Sequence, residues 1–306
     1  YGTHADEGIE VYSSRNLKTW KYEGIALHKS NTTQTRWFWA PEVYHLGDKY
    51  YMYYSANERL YVATADSPLG PFRQQGGQMM QDVIGDKFSI DSHIFFDDDG
   101  SAWMFCVLID DGLCIWQVQL DKDFVTPIPS TLKKCISVSA DWENIWPRVN
   151  EGPNVVKHNG KYYLTYSANS YESQDYGVGY ATADSLTGEW KKYAGNPILH
   201  RYKELVGVGH HTLFKDKRGK LRIFRAEAQK AGIQDIRQKS GDVLFALTDL
   251  NFEAVTLMCA DPDYKNRIQF VATAKLPTLR LKLSSGVDSL RQSKVFIARY
   301  QNCCQN

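Results

Sequence analysis

No apolar run in the sequence approaches the roughly 18 residues that a membrane-spanning helix requires, and none reads as a signal-peptide core. An excess of one charge is also missing: 36 Lys and Arg against 35 Asp and Glu leave a net charge of +1. Nucleic acids and anionic membranes are held by dense positive patches, so neither is an expected partner. The six cysteines contain no CxxC pair, which argues against a structural zinc site. Cys106 and Cys114 flank the turn Ile109-Asp110-Asp111-Gly112, and free thiols are the expectation for all six. No convincing amphipathic helix interrupts the chain.

Aromatic residues are abundant, at 13%, with 19 Tyr, 13 Phe and 8 Trp among 306 residues. Tyr and Trp fit pleated, half-buried surfaces, so this composition favours β structure. It also suits stacking against sugar rings, although packing is the commoner use of such side chains.

The chain repeats itself. Gly47-Asp48-Lys49-Tyr50-Tyr51-Met52-Tyr53-Tyr54-Ser55-Ala56-Asn57 returns as Asn159-Gly160-Lys161-Tyr162-Tyr163-Leu164-Thr165-Tyr166-Ser167-Ala168-Asn169. Ala63-Thr64-Ala65-Asp66-Ser67 returns as Ala181-Thr182-Ala183-Asp184-Ser185. Weaker copies of the same hairpin, an apolar strand on each side of an Asp/Gly turn, run over residues 95–105 and 214–224. A second, outer hairpin has five copies, at 11–20, 62–72, 115–124, 180–190 and 245–252. Four antiparallel strands repeated about every 50 to 65 residues predict an all-β, five-bladed β-propeller over residues 1–260. Five outer hairpins accompany only four inner ones, and Tyr1-Gly2-Thr3 matches Tyr54-Ser55-Ala56. The first blade therefore reads as incomplete, its innermost strand starting about 13 to 21 positions before Tyr1.

Counting back nine positions from the turn residue of each inner hairpin gives Trp39, Asp91, Glu151 and His210. Each is expected to start an innermost strand, and innermost strands line a propeller's channel. The column thus gathers a flat aromatic, two carboxyl groups and an imidazole at one mouth. The loops 5–7, 56–59, 170–176 and 226–233 are expected to open on the same mouth.

Trp39-Ala40-Pro41-Glu42-Val43, Ser89-Ile90-Asp91-Ser92-His93, Asn150-Glu151-Gly152-Pro153 and Gly209-His210-His211-Thr212-Leu213-Phe214 resemble the motifs of glycoside hydrolase family 43. The resemblance runs from Tyr1 to about residue 255. It implies inverting enzymes that remove arabinofuranose or xylose from plant polysaccharides, with an Asp base, a Glu acid and a second Asp that tunes and orients the acid. Inversion needs one protonated carboxyl at the leaving oxygen and one carboxylate activating water, about 6.5 to 9.5 Å apart. A neighbouring carboxylate raises the acid's pKa by like-charge repulsion. By resemblance Glu151 is the general acid, Asp91 the modulator and His210 the axial histidine, which binds a metal or its water. Calcium prefers oxygen ligands, so an ion beside one imidazole would be mostly hydrated, and no cofactor is required for the chemistry. The family's base begins the first blade's innermost strand, so here it is expected upstream of Tyr1. Asp6 and Glu7 lie in a loop on the right face, where carboxylates are usually solvated.

Trp39, Trp37 and Phe38 are candidate sugar-stacking residues, with Trp142 and Trp146 as candidate subsite walls. Arg225 aligns with Tyr166 and is a candidate ligand for a sugar hydroxyl. His211 is expected to pack behind His210, and Asp97-Asp98-Asp99-Gly100 reads as a hairpin turn. Residues 261–306 match no blade and are expected to hold a ring-closing strand before a disordered end. The function expected is an arabinofuranosidase or β-xylosidase type of hydrolase, a monomer acting on oligosaccharide or polysaccharide, secreted or periplasmic in a bacterium. The alternative is a catalytically silent sugar-binding propeller lacking its base.

Overall fold

In the computed structural model, the residues described are 1–4, 6–15, 20–145, 147–200, 206–215, 221–228 and 244–249. They form five antiparallel sheets, one after another along the chain. The first holds β1 (Gly2–His4), β2 (Gly8–Ser13) and β3 (Lys21–His28). The second holds β4 (Trp39–Leu46), β5 (Lys49–Ala56), β6 (Arg59–Ala65) and β7 (Arg73–Gln75). The third holds β8 (Ser89–Phe96), β9 (Ala102–Asp110), β10 (Gly112–Leu120) and β11 (Lys133–Ile136). The fourth holds β12 (Asn150–His158), β13 (Lys161–Ala168), β14 (Gly177–Ala183) and β15 (Lys191–Lys192). The fifth holds β16 (Val206–Lys215), β17 (Leu221–Ala228) and β18 (Leu244–Asp249). The longest α-helix among the described residues is the single turn Gln81–Ile84. This is the all-β, five-bladed propeller class that the repeats predict.

Local chemistry sets the hairpins. Asn159 and Gly160 turn β12 into β13 with φ of 49° and 75°, the left-handed pair that a two-residue hairpin turn demands. The chain divides into two compact units. One contains residues 1–109 and 116–133, the other residues 110–115 and the described chain from Lys134 onward. In the first unit, Ile9, Val11, Leu27, Phe38, Met52, Tyr54 and Phe72 form one core cluster. Tyr53, Leu60, Val62, Ile94, Met104 and Leu120 form another. Alternate residues of one strand enter different clusters (Met52 and Tyr54 against Tyr53), as the two faces of a doubly buried sheet require. In the second unit, Leu164, Tyr166, Val178 and Ala181 are almost wholly buried.

Every inner hairpin carries a bulge near the start of its first strand. The register slips between Trp39 and Glu42, Ile90 and His93, Glu151 and Asn154, and Gly209 and His211. Within the slips Ala40, Asp91, Gly152 and His210 have φ of 45°, 56°, 55° and 42°. A bulge re-aims the side chains around it, and such bulges recur beside active sites. Asp and His, with Asn, are the non-glycine residues most often found in that left-handed region.

The bulges correct the column read from the sequence. Trp39 and Glu151 are paired residues just before the slip, opposite Ser55 and Ser167. Asp91 and His210 stand one place later, inside the slip. The cause is turn length. Leu46 pairs with Lys49 and His158 with Lys161, which leaves two residues between. Phe96 pairs with Ala102 and Lys215 with Leu221, which leaves five. The true internal repeat is therefore a pair of sheets, short turn then long turn.

Candidate active site

In the second unit, Glu151 is 4% exposed, at the second position of β12. Its Oε1 accepts a hydrogen bond from the Tyr176 hydroxyl at 2.5 Å, and Tyr176 is itself buried. Gly152 follows in the left-handed conformation. A Cβ there would lie 3.5 Å from His210 Nδ1, so the imidazole rests over the glycine immediately after Glu151. The His210 N–H donates to Ser167 Oγ at 2.8 Å, on the strand that pairs with Glu151. Glu151, Gly152 and His210 are thus brought together within the second unit.

The residue before Glu151 is anchored by a buried charge network. Lys192 Nζ contacts Glu143 Oε2 at 2.5 Å and donates to Asn150 Oδ1 at 2.9 Å and to the Ser137 carbonyl at 2.6 Å. Glu143 is wholly buried and also accepts from the Tyr166 hydroxyl and from the Ser139 N–H at 3.0 Å. Burial holds the Lys192 pKa below the usual ammonium range, and the Glu143 charge opposes that. Burial, then the Glu143 charge, pushes the Tyr166 phenol well above its ordinary value.

In the first unit, Asp91 is 3% exposed and its N–H donates to Ser55 Oγ at 3.1 Å. Burial, then the Asp91 charge, pushes the thiol of Cys106 up to about 12. Two residues on, His93 Nδ1 meets Glu42 Oε2 at 3.0 Å, and Tyr44 donates its hydroxyl to the same oxygen. The Tyr44 oxygen also accepts the Ile94 N–H at 3.0 Å, so β4 and β8 are pinned together just beyond their bulges.

The aromatic candidates separate. Trp39 is 3% exposed and lies parallel to Trp37, with centroids 5.9 Å apart. Trp37 is the more open ring, with the Arg36 guanidinium 3.9 Å from its centroid. Phe38 points the other way, is 0% exposed and stacks on Tyr54 within the core. The Phe38 ring has no free face for a ligand, which corrects its place among the sugar-stacking candidates. Trp142 packs on Tyr166 and against Gly179. Asp6 is exposed and accepts the Trp37 N–H at 3.3 Å, and the Glu7 side chain, 42% exposed, pairs with Lys29 at 2.8 Å, so both loop carboxylates stand in solvent. His211 is buried, with Nε2 2.6 Å from Thr165 Oγ1. Asp97 closes the predicted turn by accepting the Gly100 N–H on its carbonyl. Cys106, Cys114 and Cys135 are free thiols.

Trp146 and residues 261–306 lie outside the described residues, and Arg225 is placed only by its backbone, opposite His211 on β17. Among the described residues no group of three or more His, Cys, Asp and Glu side chains is arranged to hold a metal ion. No helix among the described residues is long and apolar enough to cross a membrane. The sequence reading missed Tyr176, Lys192 and Glu143, and it used Ser55 and Ser167 only as repeat markers. Tyr176 ends the 170–176 loop already assigned to the channel mouth, and that was the available signal.

The chain is similar to the solved structure of an endo-1,4-β-xylanase from Bacteroides thetaiotaomicron VPI-5482, at 41% identity over 81% of this chain and 84% of that one, with a TM-score of 0.74. It is 28% identical to a β-D-galactofuranosidase of Aspergillus niger, over 67% of this chain and 62% of that protein. It is 27% identical to an extracellular exo-α-(1→5)-L-arabinofuranosidase of Streptomyces chartreusis, over 64% and 65%. The chain thus spans a little under two thirds of the length of these two curated relatives. Residues 1–241 match the sequence profile of glycosyl hydrolases family 43, and the chain belongs to that family.

Proposed function

We propose that the protein is an inverting glycoside hydrolase acting on arabinose- or xylose-containing plant polysaccharides or oligosaccharides, of the arabinofuranosidase or β-xylosidase type. The observation that carries this is the buried Glu151 carboxyl, seated beside a left-handed glycine with an imidazole over it, in a chain of this family. Glu151 is the general acid that protonates the leaving oxygen. Asp91 is the carboxylate that raises the acid's pKa by like-charge repulsion. The water-activating base is a second carboxylate, which we do not assign among the described residues. Trp37, the more open ring, is the aromatic group that meets the sugar, with the buried Trp39 stacked behind it.

Proton transfer by positioned carboxyl groups is typically worth about 10² to 10⁴-fold each and needs no cofactor. A calcium ion beside His210 would keep most of its water, because it prefers oxygen ligands. Polymeric substrates of this kind go with a secreted or periplasmic monomer.

The test is release of sugar from arabino- and xylo-oligosaccharides, with the first-formed anomer read by proton NMR. A β-galactofuranoside is a third arm, because one relative carries that name. Inversion of the anomeric centre is expected. Retention, or no release from either pentose substrate, would overturn the proposal.

A further inference from the structure

A carboxylic acid has two oxygens, and an effective general acid must present one of them, protonated, to the leaving group. We infer that Tyr176 is a positioning residue that selects which Glu151 oxygen carries the proton. The inference rests on Glu151 being the acid.

The Tyr176 hydroxyl donates to Glu151 Oε1 at 2.5 Å, with the two side chains 2% and 4% exposed. The terminal torsion of a Glu side chain is broad and nearly two-fold, so packing alone leaves its oxygens exchangeable. A fixed donor on Oε1 removes that exchange. Oε1 accepts in both protonation states, and the proton resides on Oε2.

Two further features show that the ring's place is built in. The first is Gly209. Its φ is not left-handed, so backbone conformation does not demand glycine there. A Cβ at Gly209 would lie 2.0 Å from Tyr176 Cε1 and 2.3 Å from Cδ1, so the ring lies directly against the Gly209 backbone. Glycine in a strand weakens it unless something must approach closely, and here the Tyr176 ring does. The second is Asn169. Its Nδ2 donates to the Trp142 carbonyl at 2.7 Å and to the Asp175 carbonyl at 2.9 Å, and its Oδ1 accepts the Ile145 N–H at 3.3 Å. That side chain ties down the residue next to Tyr176. The loop itself closes through Tyr176 N–H to the Ser173 carbonyl at 3.1 Å.

In the reaction the Oε2 proton passes to the glycosidic oxygen as the bond from that oxygen to the anomeric carbon breaks. Water adds to the anomeric carbon and gives its proton to the second carboxylate that inversion requires. Glu151, left as a carboxylate, keeps the Tyr176 bond and regains a proton from solvent at Oε2. A phenol bound to the carboxylate also favours the charged form, which opposes the influence of Asp91.

The experiment compares Tyr176→Phe with the unaltered protein on two substrates, an oligosaccharide with a sugar leaving group and an aryl glycoside with an activated one. The Phe ring still fits against Gly209. Turnover of the oligosaccharide is expected to fall roughly 10- to 100-fold, since a misplaced catalytic group costs up to about 10²-fold. Turnover of the aryl glycoside, whose leaving oxygen needs little protonation, is expected to fall less than about 3-fold. KM should stay within about 2-fold, because the phenol acts on the proton and not on sugar binding. The basic limb of the pH profile should move upward. A fluorotyrosine at position 176 keeps the ring and strengthens the donor, and should move that limb downward. An equal loss on both substrates with the limb unmoved, or no loss on either, overturns the inference. Glu151→Gln runs beside them. If it shows the leaving-group dependence and Tyr176→Phe does not, this inference alone falls. If Glu151→Gln shows none, the assignment of the acid falls with it.

Discussion

The Ser55 hydroxyl accepts the backbone N–H of Asp91 at 3.1 Å, holding a buried carboxylate residue in a left-handed conformation. Ser167 does the same for His210 at 2.8 Å, one repeat later. Each serine is the penultimate residue of the second strand of one sheet and fixes the bulge of the next. The equivalent residue of β9, paired with Ile90, is Val107, and the bulge residue of the following sheet is Gly152, which has no side chain to aim. Ser55→Ala removes the acceptor from a buried N–H and should cost about 1 to 3 kcal/mol in a urea titration. Ser55→Thr keeps the hydroxyl and should recover most of that. Equal loss in both variants would show that the hydroxyl is not what matters.

Asp91→Asn tests the modulator without disturbing the bulge. Asparagine tolerates the left-handed region as well as aspartate does, so the φ of 56° can stay. If Asp91 is the modulator proposed above, removing its charge lowers the acid's pKa. The protonated acid is the active form, so the basic limb of the activity profile should move to lower pH. An unmoved limb would mean that Asp91 is not electrostatically coupled to the acid. The expected direction is opposite to that for Tyr176→Phe, which separates the two influences on Glu151.

How much of this was legible in the sequence follows from what each feature depends on. The sheets depend on local chemistry. Asn159-Gly160 makes a hairpin, and the alternation in Lys161 to Ala168 makes a strand, so both could be read directly. The bulges depend on the partner strand. Counting from the turns placed Asp91 in line with Trp39 because it assumed equal turn lengths, and two-residue and five-residue turns differ. Phe38 has a different cause: Trp37 takes a left-handed φ of 57° and β4 begins only at Trp39, so no strand period runs across these three residues and only the fold shows that Phe38 enters the core. Tyr176 reaches Glu151 across 25 residues, and Lys192 reaches Glu143 across 49. Neither pairing leaves a local pattern, and only the folded sheet brings those groups together.

The Lys192–Glu143 pair should be more costly to break than to replace. Lys192→Met leaves the wholly buried Glu143 carboxylate without its counter-charge. Removing one partner of a buried pair typically costs about 3 to 5 kcal/mol, whereas replacing both by apolar groups is often neutral. Chemical denaturation of Lys192→Met, Glu143→Leu and the double variant closes a thermodynamic cycle. The double variant should be more stable than Lys192→Met alone. Losses that simply add would show that the two residues do not act as a pair.

Alkaline titration should expose the buried phenols as a cooperative event. Burial is the first cause that raises the phenol pKa of Tyr44, Tyr53, Tyr54 and Tyr166, with Glu42 adding to it at Tyr44 and Glu143 at Tyr166. A pKa raised by folding means that the native state holds its proton more tightly than the unfolded chain, whose tyrosines titrate near pH 10. The stabilisation linked to these four groups is therefore complete below about pH 10 and is lost as the pH rises beyond it. Lys192 acts in the opposite sense. Its pKa is lowered by burial, so between that value and the unfolded one, about 10.4, the native state binds fewer protons and stability rises with pH. One lysine is set against four phenols, so the net effect above pH 10 is destabilising. Tyrosinate absorbance, followed together with far-ultraviolet circular dichroism, should show exposed tyrosines titrating first and reversibly with the sheets intact. The remaining phenols should ionise in a steeper step that coincides with loss of the β signal. Tyr166→Phe should reduce the amplitude of that second step. A single gradual titration of all 19 tyrosines with the β signal unchanged would contradict the burial assigned to these four.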